Sequence, residues 1–255
     1  LATPDVSQKT AFLNAEFKVY SKHGGDGILA YIFSKIGTTD YSFVEIGVEN
    51  GRECNTANFT LNFGWKGLMI DANKDWIESA KKYYREKLGD KANRVEISTC
   101  FVTAENINDE ISQNGIKGEI DLLSIDIDGN DYWIWKASDV INPRVVVMEY
   151  NAGLRHQSLA MKYNPRHRYQ PEKNPLCYGA SLPALVKLGK EKGYILVTCD
   201  SYGLDAFFVR NDVTNGKFVE LSAKEAFYPN PYNIKKFGST DDQFNQIKHL
   251  DLEEI

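Results

Sequence analysis

The fold of this chain is decided by the stretch Phe43-Val-Glu-Ile-Gly-Val-Glu-Asn-Gly51. Its first six residues, 43–48, are mostly β-branched or apolar with one acid among them, which predicts a buried strand. The chain then breaks at Glu49-Asn-Gly51 and resumes an apolar pattern typical of a helix. A strand, a glycine turn and a helix in this order form the ligand-binding end of an open α/β sheet.

The spacing of the turn glycines indicates which ligand this end would accept. A dinucleotide-binding turn needs G-x-G-x-x-G, because its second glycine lets the pyrophosphate approach the backbone. Here the glycines are Gly47 and Gly51, and Glu49 stands at the position of that second glycine. A carboxylate there would repel a pyrophosphate, which disfavours an NAD-dependent oxidoreductase. We expect an adenosine-bearing, cationic ligand without phosphates, and S-adenosylmethionine fits that description.

Two neighbouring stretches resemble the class I methyltransferases. The pattern Glu45-x-Gly-x-x-x-Gly51 after a strand resembles motif I of that superfamily. Asp71 ends the next predicted strand, Leu68-Met-Ile-Asp71, and resembles the acid that holds the ribose hydroxyls of the cofactor.

Two further stretches are similar to the FkbM-like family within that superfamily. Leu122-Leu-Ser-Ile-Asp-Ile-Asp-Gly129 is similar to its Asp-Val-Glu-Gly stretch, with Asp128 in place of the glutamate. The loop Ser21-Lys-His-Gly-Gly-Asp-Gly27 resembles the Ser-Gln-x-Gly-Glu-Asp-Gly segment ahead of motif I. Lys22 and Gly25 depart from that segment, which leaves a ligand role for Lys22 open, and a plain helix-initiating loop is the alternative interpretation.

The resemblance covers roughly residues 20–210 and implies both a fold and a cofactor. The fold is a Rossmann-like α/β sheet of seven strands, mostly parallel with the last strand antiparallel, flanked by helices. The cofactor is S-adenosyl-L-methionine. Candidate cofactor-binding residues are Glu45, Gly47, Asn50, Gly51, Asp71, Ala72, Phe101, Val102 and Asp126. For either Phe101 or Val102 taken singly, packing in the core is the favoured interpretation.

Length and composition bound the domain organisation. The 255 residues suit one large α/β domain with additions. We expect an N-terminal helical arm and glycine loop at 1–40, a methyltransferase core at 41–210 with a lid inserted at 152–178, and a C-terminal extension at 211–255.

Charge and hydropathy exclude several partners. The net charge of −5 argues against a nucleic-acid-binding face. No run approaches the ~18 apolar residues of a membrane span. The four cysteines are widely spaced without a C-x-x-C pair, which predicts reduced, buried thiols and a cytoplasmic protein. The expected partner is a small-molecule or glycan substrate.

The remaining elements follow from periodicity and turn signals. Strands are predicted at 95–102, 121–126 and 145–148, with Asn142-Pro-Arg144 as a turn and 145–148 buried on both faces. The segments 194–199 and 205–210 predict a closing hairpin. Helix starts are predicted at Asp26, at Ser181 and at the capping box Ser222-Ala-Lys-Glu225.

Oxygen-bearing side chains follow two neighbouring predicted strands. Asp126 and Asp128 end the fourth strand, and Glu149 and Asn151 end the fifth. Strand ends of this kind face the ligand crevice of an open sheet. Methylation of a hydroxyl requires a base, or a metal that lowers the pKa of the hydroxyl.

Three interpretations of these acids remain open. In the first, Asp126, Glu149 and Asn151 bind Mg²⁺ or Mn²⁺, an arrangement that resembles the catechol-type O-methyltransferases. In the second, no metal binds, and Asp126, Asp128, Glu149 or a lid histidine is catalytic. In the third, Asp126 and Asp128 only cap the following helix.

The predicted lid, 152–178, combines prolines, arginines and tyrosines with little apolar periodicity, which is typical of a functional loop. His156 and His167 in this lid are candidate catalytic residues, with a plain surface position as the alternative. Its basic and aromatic side chains suit an anionic or polyhydroxylated acceptor.

The function that this pattern favours is S-adenosylmethionine-dependent methylation, O-directed, on a sugar or another hydroxylated metabolite. The preference for a sugar comes from the family resemblance. N-methylation of a peptide or natural product is the alternative enzyme function. A non-catalytic binding protein that retains the fold is the alternative outside enzymes.

Overall fold

The computed structural model describes residues 6–255, so the first five residues of the predicted N-terminal arm lie outside the described residues. The strands, in chain order, are β1 (Ser42–Ile46), β2 (Lys66–Asp71), β3 (Val95–Thr99), β4 (Gly118–Ile125), β5 (Ile141–Glu149), β6 (Leu159–Met161), β7 (Tyr194–Cys199), β8 (Asp205–Arg210) and β9 (Leu252–Glu254).

Helices surround these strands. They are α1 (Val6–Ala15), α2 (Gly25–Ile36), α3 (Ala57–Phe63), α4 (Lys74–Leu88), α5 (Ile107–Gln113), α6 (Asp131–Ala137), α7 (Leu182–Glu191), α8 (Asn211–Thr214), α9 (Ala223–Ala226), α10 (Pro231–Phe237) and α11 (Thr240–Ile247). Short 3₁₀ helices span Gly89–Arg94 and Ala152–Leu154.

Seven strands form one sheet in the order β3-β2-β1-β4-β5-β8-β7. The pairs from β3 to β5 are parallel, whereas β8 runs antiparallel to both β5 and β7. The predicted fold class is therefore confirmed. Because β2 lies on one side of β1 and β4 on the other, the carboxyl end of β1 opens into the crevice at the topological switch point.

The central strands are buried on both faces, as predicted for 145–148. Val146 and Met148 of β5 join a core that α5, α6 and α7 cover. Val145 and Val147 join a second core on the opposite face, which α1 to α4 cover. All four side chains are at most 1% exposed, so β5 holds the middle of the molecule rigidly beneath its carboxyl end.

Several predicted bounds were wrong by a few residues. β1 ends at Ile46 because the backbone of Gly47 turns with φ +87°. β3 ends at Thr99 instead of residue 102. β5 begins at Ile141 and includes Pro143, where a turn was predicted. Pro143 is tolerated because β5 gains its second neighbour, β8, only from Val145 onward.

The predicted lid, 152–178, contains more regular structure than its sequence indicates. Its strand β6 pairs antiparallel with β9, from the segment predicted as a C-terminal extension. Leu154 and Leu176 pack with Ile247 of α11 in a small separate core. The extension is thus part of what holds the lid in place.

Helix starts were predicted with mixed success. Ser181 accepts a hydrogen bond from the Ala184 N–H, and the capping box at Ser222 and Glu225 is present. The cap predicted at Asp26 is wrong, because α2 begins at Gly25, one residue earlier. The Asp26 carboxylate instead accepts bonds from the N–H groups of residues 19, 20 and 21, which shapes the glycine loop.

Among residues 6–255, no helix is both long and apolar enough to cross a bilayer. The prediction of buried thiols holds for Cys54 and Cys199, whereas Cys100 and Cys177 are partly exposed.

Candidate functional site

The turn after β1 is packed directly against the end of β4. The Gly47 N–H donates to the Ile70 carbonyl of β2 over 2.8 Å. A Cβ on Gly47 would lie 1.6 Å from the carbonyl oxygen of Asp126, and the φ of +87° is in the left-handed region. Only glycine fits this position, so the turn brings three strand ends to one point.

Glu45 shapes the loop that follows the turn. Its buried carboxylate accepts the N–H groups of Asn55 at 2.8 Å and Thr56 at 3.0 Å, together with the Thr56 hydroxyl. Burial raises the pKa of this carboxyl. The structure places Glu45 behind the turn, where it supports the site without lining its cavity.

Two other predicted cofactor residues also lie away from the cavity. The Asn50 side chain accepts the Arg52 N–H at 3.2 Å. Gly51 faces α4, where a Cβ would meet Tyr84 at 2.9 Å and Ala80 at 3.1 Å. The glycine is needed there for helix packing.

Asp71 lies at the carboxyl end of β2, beside the turn. One of its oxygens accepts the Glu49 N–H at 2.9 Å and the other accepts the Asn73 N–H at 2.7 Å. Each carboxylate oxygen has a second lone-pair direction, so Asp71 can still accept hydroxyl groups from a ligand. Glu49 adopts φ +48°, a left-handed conformation that is uncommon outside glycine.

A cavity of about 220 Å³ opens over these strand ends. Among the sequence-predicted site residues, those that line it are Gly47, Asp71, Ala72, Phe101, Val102, Asp126, Asp128 and His167. Sequence reasoning did not assign to the site Lys22, Glu49, Trp76 and Asn130, which line it as well. Arg168 and Tyr169 also line it, and they belong to the basic and aromatic lid side chains that the sequence analysis expected to suit the acceptor. The Arg168 guanidinium lies 3.9 Å from the centroid of the Phe101 ring, so the lid stacks on the wall of the cavity.

Three carboxylates converge beside this cavity: Asp126 and Asp128 line it, and the buried Glu149 does not. Oxygens of Asp126, Asp128 and Glu149 all lie within 4.8 Å of one another. We call these three residues the acidic cluster. Glu149 is 6% exposed, and its Oε2 has no hydrogen-bond partner in the part of the chain that the structure describes.

The proximity of these acids changes their protonation. Burial, reinforced by Asp126 and then Asp131, raises the pKa of Asp128 to about 7. Burial, reinforced by Asp126 and Asp128, raises the pKa of Glu149 well above its ordinary value. Asp128 also adopts φ +54°, a conformation that costs free energy for a non-glycine residue and is common at functional sites.

Lys22 supplies a cation at the acidic cluster. Its ammonium lies 3.0 Å from Oδ2 of Asp126. The Asp126 charge, and then that of Glu149, raises the pKa of Lys22 against the opposing effect of burial. This pair joins the glycine loop to the end of β4 across 104 residues of sequence.

The turn before α6 is held by Asp131 instead of Asp126 or Asp128. Its buried carboxylate accepts the N–H groups of Ile127 at 2.7 Å and Gly129 at 2.8 Å. The capping role that the third interpretation gave to Asp126 and Asp128 is therefore filled by Asp131, a residue that the sequence analysis did not single out. The signal for Asp131 was the Asp-Gly-Asn-Asp spacing, in which an acid follows the turn glycine.

Asn151 does not join the acidic cluster. Its amide donates to the carbonyls of Leu176 and Tyr178, both at 2.9 Å, and its oxygen accepts the Gly153 N–H at 2.9 Å. The side chain thus ties the two ends of the lid together, and the metal-ligand role predicted for it has no support in its position.

The two lid histidines are in different places. His167 lines the cavity, with Nε2 3.1 Å from the Asp128 carbonyl oxygen, and it packs so closely on Gly129 that a Cβ there would lie 2.2 Å from its ring. His156 is exposed and packs on Phe227, with ring centroids 5.0 Å apart. Of the two, only His167 is placed to meet a ligand in the cavity.

Comparison with known proteins gives structural likenesses alone. No protein-family model matches the chain, and no curated protein matches its sequence. Magnesium protoporphyrin IX methyltransferase from Synechocystis PCC 6803, with bound SAM, superposes with a TM-score of 0.45 and 11% identity, covering 73% of this chain and 77% of that chain.

Two other methyltransferase structures are similar to the same degree. Geranyl diphosphate methyltransferase in complex with SAM has a TM-score of 0.44 and 14% identity, covering 68% of this chain and 66% of that one. The glycopeptide N-methyltransferase MtfA has a TM-score of 0.44 and 11% identity, covering 76% and 96%. Likenesses this distant carry no conclusion about function. The strand order and the single antiparallel strand are what give this chain the class I methyltransferase fold.

Proposed function

We propose that this chain is an S-adenosylmethionine-dependent methyltransferase of the FkbM-like kind, which methylates a hydroxyl of a sugar or another hydroxylated metabolite. The observation that carries the proposal is the cavity at the switch point. Its lining includes Asp71, the Gly47 turn and two members of the acidic cluster, Asp126 and Asp128, and Glu149 lies next to these two.

The residues along this cavity fit the cofactor group by group. Asp71 retains lone pairs for two ribose hydroxyls after accepting two backbone N–H groups. Phe101 and Val102 offer an apolar wall for the adenine ring. Asp126 and Glu49 offer negative charge to the sulfonium and ammonium groups, and Lys22 offers its ammonium to the carboxylate.

S-adenosylmethionine supplies a methyl group on a positively charged sulfur, which is a good leaving group. This chain would hold the acceptor hydroxyl in line with that methyl group and remove the hydroxyl proton as the new C–O bond forms. We assign proton removal to the acidic cluster, in which Asp128 with its pKa of about 7 is suited to act as a base near neutral pH. The same carboxylates would hold Mg²⁺ or Mn²⁺ if a metal assists.

The lid residues that line the cavity favour a polar acceptor. His167, Arg168 and Tyr169 close over the cavity with hydrogen-bonding or stacking groups and no aliphatic side chain among them. Such groups suit the ring and hydroxyls of a sugar.

The test of this function is calorimetric titration with S-adenosylhomocysteine and S-adenosylmethionine. We expect binding by the wild-type protein and a loss of about 10- to 100-fold in affinity for Asp71→Ala, the range for hydrogen bonds to a charged group. Asp90→Ala removes an exposed acid from the 3₁₀ helix at 89–94 and serves as the matched control.

Unchanged affinity in a folded Asp71→Ala protein would contradict the assignment of the ribose acid. Tighter binding of NAD than of S-adenosylhomocysteine would contradict the cofactor. Transfer is then tested by mass spectrometry of hydroxylated acceptors incubated with the cofactor, where one added methyl group is the expected product.

A further inference from the structure

The spacing of the acidic cluster is that of ligands around one ion. Two oxygens bound to the same ion lie no farther apart than twice the metal–oxygen distance, about 4.2 Å for Mg²⁺ and about 5 Å for Ca²⁺, so carboxylate oxygens 4.8 Å apart would move closer by a few tenths of an ångström around the smaller ion. Oxygens of Asp126, Asp128 and Glu149 all lie within 4.8 Å of one another. Three carboxylate oxygens form the donor set that hard divalent cations prefer.

Glu149 gives an independent indication that the cluster binds a ligand. Its side chain is 6% exposed, and Oε2 has no hydrogen-bond donor among the described residues. A buried carboxylate oxygen without a partner is strongly destabilising unless a cation or a proton reaches it. This oxygen belongs to the carboxylate whose neighbours are Asp126 and Asp128, so a cation held by the three carboxylates would also compensate it.

The charges around the cluster are unbalanced. Asp131 and Asp205 contribute further negative charge to its electrostatic surroundings, and Glu49 does so from the rim. Within residues 6–255, Lys22 is the cation that forms an ion pair with the cluster, which it makes with Asp126 at 3.0 Å. Its ammonium leaves the Oε2 of Glu149 without a bond.

The contact that Lys22 makes is one that it can give up. The Lys22 side chain is 44% exposed and that of Asp126 is 26% exposed, so water screens the pair and its contribution to stability is small. A divalent cation would meet Asp126, Asp128 and Glu149 together. Lys22 and the cation would compete for Asp126 and would repel each other.

We propose that Asp126, Asp128 and Glu149 bind one divalent cation, Mg²⁺ or Mn²⁺, and that Lys22 is a built-in competitor, which holds Asp126 until the cation displaces it. The ligand set differs from the one that the sequence predicted, because Asp128 takes the place of Asn151. In the proposed methyltransferase, a cation at this position would lower the pKa of an acceptor hydroxyl. The cation site itself does not depend on that function.

The experiment measures binding of Mn²⁺ alone, without cofactor or acceptor, by electron paramagnetic resonance and calorimetry at pH 7.5. We expect one Mn²⁺ per chain in the wild-type protein, displaced by excess Mg²⁺. Glu149→Gln and Asp128→Asn should each weaken binding by about tenfold or more. Glu53→Gln removes a cavity-lining acid outside the cluster and should leave binding unchanged.

Lys22→Gln sharpens the test, because it should tighten Mn²⁺ binding by about fivefold, the factor that corresponds to a partly exposed ion pair. Lys18→Gln is its matched control. Lys18 lies on the preceding segment and pairs with Glu53 at 2.6 Å, so its loss removes the same charge without freeing Asp126.

Two results would overturn the proposal. Absence of Mn²⁺ binding in both the wild-type and Lys22→Gln proteins, or equal binding by a folded Glu149→Gln protein, would remove the cation site. Equal affinity in the Lys22→Gln and Lys18→Gln proteins would remove the competition. Either result would leave cofactor binding at Asp71 standing, and a failure of cofactor binding would leave the Mn²⁺ result standing.

Discussion

Buried acids occur at both ends of strands β4 and β5, and their surroundings are opposite. At the amino end, Asp121 is 0% exposed and accepts the N–H groups of residues 39, 40, 41 and 42. Arg144 approaches it at 3.4 Å, and Arg210 pairs with the neighbouring Glu119 at 2.5 Å. Among the described residues, each of these carboxylates faces an arginine, although the buried Nε of Arg144 makes no hydrogen bond of good geometry.

At the carboxyl end, the acidic cluster has three carboxylates and one half-exposed lysine. The Oε2 of Glu149 is buried without a partner, where Asp121 has four backbone donors. Four backbone donors and an arginine offset much of the desolvation cost of burying Asp121, whereas Glu149 has no comparable set of donors among the described residues. The imbalance at the other end of the same strands therefore indicates a site prepared for a ligand.

The largest effect that this comparison predicts is on stability at the amino end. Asp121→Ala should lower the free energy of unfolding by about 3–5 kcal/mol, because it removes the carboxylate that faces Arg144 and the acceptor of four backbone N–H groups. Urea denaturation at pH 7 measures this loss. Glu149→Gln is the contrasting variant and should lose less than about 1 kcal/mol, since it removes a charge that repels its neighbours.

Equal losses in the free energy of unfolding for Asp121→Ala and Glu149→Gln would contradict the contrast between the two ends of the strands. Both acids would then be structural, and the carboxyl-end cluster would need no ligand to explain it.

The second prediction concerns the pH dependence of stability in metal-free buffer. Burial and like charges raise the pKa of Asp128 to about 7 and raise that of Glu149 above its ordinary value. The folded protein therefore binds protons more tightly than the unfolded chain. Its stability should fall as pH rises from about 4 toward 7, by at most about 1.4 kcal/mol per pH unit for each proton.

The double variant Asp128→Asn, Glu149→Gln isolates the contribution of the cluster from that of other buried acids. Its urea-denaturation curves between pH 5 and 8 should show a shallower fall than those of the wild-type protein. Parallel pH dependences would mean that the cluster does not perturb the titration of its members.

The smallest expected effect concerns the contact between the lid and the acidic cluster. The lid touches the cluster through His167, which packs on Gly129 and reaches the Asp128 carbonyl. His167→Ala should speed tryptic cleavage within 162–173 several-fold and change global stability by under about 1 kcal/mol. His156→Ala, the other lid histidine, is the control and should cleave at the wild-type rate.

If His156→Ala and His167→Ala are cut equally fast, His167 does not hold the lid on the cluster. Slower cleavage of the wild-type protein with Mn²⁺ or S-adenosylhomocysteine would sharpen the comparison, because it would link the lid to the occupied site.

Much of the sheet was predictable from the sequence, because apolar runs and turn residues mark strands that are buried on both faces. Reasoning about strand ends also predicted that Asp126, Asp128 and Glu149 lie together, because the carboxyl ends of parallel strands lie at one edge of a sheet. It failed for Asn151, because the alternation of side chains stops where the strand does. The chain turns into a 3₁₀ helix at Ala152, and Asn151 becomes its cap.

Lys22 shows a different limit of sequence reasoning. Its contact with Asp126 spans 104 residues and depends on the path of the glycine loop, which the buried carboxylate of Asp26 sets. Neither the hydrophobic periodicity of the sequence nor the spacing of its motifs indicates the path of a loop. The pairing of β6 with β9 was equally unpredictable. A strand of three residues is too short for its sequence pattern to indicate a partner strand about 90 residues away.

That pairing has a consequence for the order in which the molecule is assembled during synthesis. The large sheet has all its strands once Arg210 has been made, so the floor of the cavity can fold at that stage. The strand that fastens the lid, Leu252–Glu254, follows about 40 residues later, which is several seconds at ordinary rates of translation. A nascent chain therefore passes through a period in which its cavity is formed and uncovered, and a ligand present in the cell can enter before the lid is fastened.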